Sequence, residues 1–162
     1  MAPFIAGVLN GPMLRGEARG GTRGFYGVSG ALGTGSDKAG VLVEATTRGG
    51  DGIRRGHGFR LWDVVGKGRV VLGPAHELRL RASHYQERSH ITETMLGERE
   101  YAADPLQAPT AGLDRFVQDR TQLQASHIWT PSDAVRLTTT GYWARTTRAS
   151  FRQTDKPGGW DD

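Results

Sequence analysis

The sequence predicts an all-β chain: an antiparallel meander of about seven strands forming part of a transmembrane β-barrel, with a short helix in one long connector. Three observations predict it. Several segments of roughly ten residues alternate apolar and polar side chains, the period of a strand that meets a different environment on each face. The connectors are tight at 35–38, 73–76 and 130–133 and long at 48–58 and 87–116, as in barrels whose two rims differ. No run approaches the roughly 18 apolar residues of a membrane helix, so any crossing is made by strands.

The elements follow in order. Residues 14–19 form a weak first strand, and Gly20-Gly21-Thr22-Arg23-Gly24 turns into a second over 25–34, with Tyr26, Val28, Gly30 and Leu32 on one face. The third, 39–48, sets Ala39, Val41, Val43 and Ala45 against Leu42, Glu44, Thr46 and Arg48. The fourth, 59–72, opposes Val64, Gly66, Gly68, Val70 and Leu72 to Asp63, Lys67 and Arg69. The fifth, 76–87, is the sharpest, with Leu78, Leu80 and Ala82 alternating with Arg79, Arg81 and Ser83. The sixth, 117–129, and seventh, 135–146, repeat the pattern through Leu123, Ala125 and Trp129, then Leu137, Gly141 and Trp143. Trp129 stands beside a tight turn on the apolar face, which suits an interfacial aromatic girdle and equally a half-buried core tryptophan. Residues 97–104, ahead of Pro105, carry the short helix.

Composition agrees with a wall rather than a globule. Of 162 residues only 36% are hydrophobic and 24 are glycine. That is little for a compact core, yet too patterned for a disordered chain; a wet-lumened barrel needs only half of each strand to be apolar. The net charge of +4, carried mostly by arginine, permits anionic partners. The absence of cysteine excludes disulfide frameworks and Cys-based zinc sites.

The search for chemistry returns little. Gly30 to Lys38 has the glycines of a phosphate loop, but the lysine is misplaced and no helix follows. Gly27-Val28-Ser29-Gly30-Ala31 misses the serine-hydrolase elbow at its last position. His57, His76, His84, His90 and His127 lack zinc-ligand spacing; His84 and His90 flank a loop entrance and read as solvated. Arg-Gly-Gly triplets at 19–21 and 48–50 sit at strand ends rather than in a tract, which argues against nucleic acid. The expectation is a protein without enzymatic activity, cofactor or resident metal.

From the third strand onward the chain resembles the TonB-dependent outer-membrane receptors, specifically their ferric-citrate (iron dicitrate) branch. The resemblance is carried by Leu42-Val43-Glu44-Ala45-Thr46-Thr47-Arg48-Gly49-Gly50-Asp51-Gly52, then Leu78 to Gln86, then Glu100 to Asp104 followed by Asp114-Arg115-Phe116 and Arg120, and last Leu137 to Trp143. It spans roughly residues 24–155. It implies an outer-membrane location in a Gram-negative bacterium, lipid contact, uptake of a ferric chelate (a siderophore or ferric citrate), and energy coupling through a plug domain and the TonB system. Such receptors are built from about 22 strands around a plugged lumen. With about seven strands, no plug, and a poor signal peptide, the expectation is a fragment: 1–13 a junction or unrelated leader, 14–155 partial barrel, 156–162 a loop tail.

With the tight turns on the periplasmic rim, the resemblance implies a set of lumen cations facing the plug: Lys67, Arg69, Arg79, Arg81 and Arg136. It also implies a set near the outer mouth, Arg48, Arg54, Arg55, Arg88, Arg115 and Arg120, where guanidinium forks suit an anionic chelate. Two other readings stay open: a complete small porin-like or adhesive barrel, and a soluble β-rich module for RNA or another polyanion.

Overall fold

The structure, a computed structural model, describes residues 11–90, 96–107 and 114–151. The expected all-β meander is what it holds. Seven strands, β1 (Met13–Gly20), β2 (Tyr26–Gly35), β3 (Ala39–Gly50), β4 (Phe59–Gly73), β5 (His76–Ser89), β6 (Arg115–Ser132) and β7 (Val135–Phe151), pair in chain order in one antiparallel sheet. The sheet does not close: β1 and β7 are its edges. The helix α1 (Glu98–Ala103) lies in the β5–β6 connector. The Glu100 carboxylate accepts from the Gly97 N–H at 2.8 Å, and Glu98 and Glu100 place negative charge in the first turn. What the sequence leads one to expect of residues 1–10 and 152–162 lies outside the described residues.

The tight turns do gather on one rim, joining β2 to β3, β4 to β5 and β6 to β7. The last of them differs from expectation. The reversal is at Asp133–Ala134, and Pro131 remains in β6, where the register shifts between Trp129 and Ser132. A proline cannot donate to the ladder, and an irregularity of this kind is where a strand tolerates one.

Register converts the sequence alternation into two continuous faces. On one, Leu14, Leu32, Val43, Gly66, Ala82, Leu123 and Trp143 follow one another across the seven strands. On the other, Glu44, Val65, Ser83, Gln122 and Ala144 do the same from β3 to β7. Among the described residues nothing covers the apolar face. Leu32 is 59% exposed, Leu80 48%, Leu123 50% and Leu137 54%. Among the described residues Ile128, on the polar face, is the one large apolar side chain that is buried. Within the described residues the sheet has no core of its own.

Candidate functional site

Three groups of side chains are built on this frame. The first brackets the apolar face. Near the tight-turn rim His76 Nδ1 lies 3.0 Å from His127 Nε2, the two rings are stacked, and Trp129 stacks on His76 with centroids 6.2 Å apart. Toward the long-loop rim the Trp62 indole donates to Gln86 Oε1 at 3.0 Å, and the Gln86 amide donates to Asp119 Oδ1 at 2.7 Å. One row inward, His84 bonds Thr121 at 2.8 Å and its ring meets that of Trp62 at 4.9 Å. Apolar rows therefore run between two belts of aromatic and hydrogen-bonded polar side chains. Along β4, Trp62 to Leu72 rises about 33 Å at ~3.3 Å per residue; tilted by about 40° it covers about 25 Å, the height of a barrel's lipid band.

The second group lies on the polar face near the tight-turn rim. Lys67 pairs with Glu44 at 2.5 Å, and its side chain is only 13% exposed. Glu77 accepts from Arg69 at 3.0 Å and from Arg79 with its other oxygen. Arg69 also donates to the Asp37 carbonyl at 3.3 Å. The five cations expected to line a lumen thus share one face. Lys67, Arg69 and Arg79 carry local carboxylates, while Arg81 and Arg136 have no ion pair among the described residues.

The third group is at the long-loop rim. Residues 51–58 fold between the β1–β2 loop and the segment after α1: the Asp51 N–H donates to the Arg23 carbonyl at 2.9 Å, and the Arg55 N–H to the Leu106 carbonyl at 2.9 Å. Side chains add to this. The Arg23 guanidinium donates to the Ile53 carbonyl, and Arg55 pairs with Asp104. Gly52 has φ +74°, and a Cβ there would lie 2.3 Å from the His57 carbonyl oxygen, so only glycine fits. Arg23, Asp51, Arg54, Arg55 and His90 edge an open cavity of about 600 Å³. His57 beside it is held neutral: burial foremost, then the Arg54 charge, lower its pKa against the opposing pull of Asp114. Its Nε2 is buried without a hydrogen-bond partner.

The six arginines expected at one mouth are divided by the structure. Arg54 and Arg55 are together at the cavity. Arg48 and Arg120 project from the polar face, opposite Leu61 and Tyr85 respectively. Arg88 and Arg115 do not join them. Arg88 has the parity of Leu78, Leu80 and Ala82, and Arg115 that of Val117 and Leu123, so both stand on the apolar side of the sheet. His84, expected to be solvated, has its ring bonded to Thr121, while His90 edges the open cavity and its backbone N–H donates to the Gly58 carbonyl. Arg23, with φ 58°, was not anticipated; its place between Gly-Gly-Thr and Gly24 was the available sign of a turn that exposes a side chain. Among the described residues no group of three or more His, Cys, Asp or Glu could hold a metal ion.

Comparison adds no relative: no family model, curated protein or solved structure matches the chain.

Proposed function

We propose that this sheet is a sector of an outer-membrane β-barrel wall, belonging to a TonB-dependent receptor that takes up a ferric chelate of the siderophore or ferric-citrate kind. One observation carries the reading: a continuous apolar face, uncovered and about as tall as a lipid band, bounded on both sides by aromatic and polar belts. A soluble protein rarely exposes an apolar surface of this extent. In this reading the polar face lines the bore, and the plug domain packs on the Lys67, Arg69, Arg79, Arg81 and Arg136 region. The cavity at 51–58 belongs to the outer mouth, where Arg23, Arg54 and Arg55 give an anionic chelate guanidinium forks. The role is transport. Binding energy is used to hold the chelate, and the work of rearranging the plug comes from the energy-coupling system.

The location is tested by fractionating the native gene product; recovery in the cytosol would end the proposal. The ligand is tested by R54E/R55E in the complete receptor. Each lost charge-assisted contact is worth about 1.5–3 kcal/mol, so ferric-citrate binding should weaken at least tenfold. Unchanged binding would remove both residues from the site.

A further inference from the structure

From the face on which Arg60, Arg88 and Arg115 stand, we propose that they form a binding patch for the phosphate of a membrane lipid's headgroup on the long-loop side. The inference rests on the membrane reading above and goes beyond it, because these side chains point away from the bore.

Register sets Arg60 directly opposite Arg88 across β4 and β5. Like charges facing each other across a strand pair destabilise it, and among the described residues neither has an ion-pair or hydrogen-bond partner. Both are exposed, as is Arg115 one strand further on, two residues beyond Val117, the partner of Arg88. Strand spacing of about 4.8 Å and a rise of ~3.3 Å per residue bring all three within reach of one phosphate. The nearest carboxylate on this face, Asp119, is engaged by the Gln86 amide.

Depth agrees with charge. Arg60 is two residues, roughly 7 Å along the strand, past Trp62, the indole of the upper belt. Headgroup phosphates lie just outside such a belt. Below it are the exposed Val64, Leu80 and Leu123, against which the acyl chains of the same lipid would lie. Planar forks hold phosphate oxygens two at a time, which suits arginine here better than lysine.

The test uses the full chain in phosphatidylcholine vesicles, with intrinsic tryptophan fluorescence quenched by added lipid bearing an acyl-chain quencher. Quencher-labelled phosphatidic acid should act at a mole fraction roughly a hundredfold lower than labelled phosphatidylcholine, since each of the three arginines near a lipid surface contributes about a factor of five. In R60Q/R88Q, which leaves only Arg115, the difference should fall to about fivefold or less. In R15Q/R19Q, which loses equal charge from the opposite face, it should persist. R60K/R88K, retaining charge without forks, should fall between. Equal action of the two lipids, an equal loss in R15Q/R19Q, or displacement by soluble glycerol phosphate would overturn the patch. Quenching by phosphatidylcholine that remains in R60Q/R88Q certifies that the variant is inserted. No quenching by any lipid would instead overturn the membrane reading itself.

Discussion

His57 ties the chemistry of the 51–58 cavity to its shape. Its imidazole is packed in the 51–58 loop, neutral, under the field of Arg54, with Gly52 pressed against its carbonyl oxygen. Protonation would put a second cation beside Arg54 and charge a nitrogen that has no acceptor. Because the folded pKa lies below the unfolded one, the loop's stability is fully present above about pH 6.5 and is lost as pH falls through the lower, folded value. Protease nicking within 51–58 should therefore increase on acidification, and H57N should flatten that dependence. Nicking that ignores pH in the parent chain would show that His57 is not held in this way. At this scale the sequence was least legible. The cavity is assembled from three loops whose approach depends on backbone hydrogen bonds among residues 23, 51, 55 and 106, and no spacing in the chain announces them. Arg88 and Arg115 are a different case. Their parity with Leu78 and Leu123 is written in the sequence, and it places them on the apolar side although both stand next to the long loops.

At the scale of the strand, alternation made the elements readable. The period of two survives wherever one side is apolar, which is why β3, β4 and β5 begin where expected. The strands overrun expectation mainly at the long-loop ends. There β6 starts at Arg115 and β7 runs to Phe151, and both faces are polar or mixed, so the alternation fades while the ladder continues. The same logic gives a sharp contrast between neighbouring positions of β5. Leu80 pairs with Gly68 near mid-height on the apolar side, and Ser83 pairs with Val65 on the other. In the complete barrel embedded in vesicles, L80R should cost about 2–4 kcal/mol in a urea titration, the depth-dependent penalty of arginine at a bilayer midplane. S83R should cost less than about 1 kcal/mol because its guanidinium enters water. Equal costs would show that the two sides meet one solvent.

For the whole molecule, the meander was legible, and the cost of its uncovered face follows from physics. A sheet that buries one large apolar side chain among its described residues gains almost nothing from folding in water. It must offset roughly 1–2 kcal/mol of backbone entropy per residue. In the proposed barrel wall, lipid on one side and a filled bore on the other would supply what is missing. Without detergent the chain should sediment as an aggregate, driven by apolar surface and unpaired strand edges; micelles should keep it in solution. A monodisperse, detergent-free monomer would contradict this.

The two margins of the sheet are unequal: β1 has 8 residues and β7 has 17. A long margin can zip up with an incoming neighbour over about twice as many rungs as a short one, and each rung adds to the hold. In the barrel proposed above, extension of the wall would therefore have a preferred direction, outward from β7, and the β1 seam would be the natural place for the ring to be fastened last.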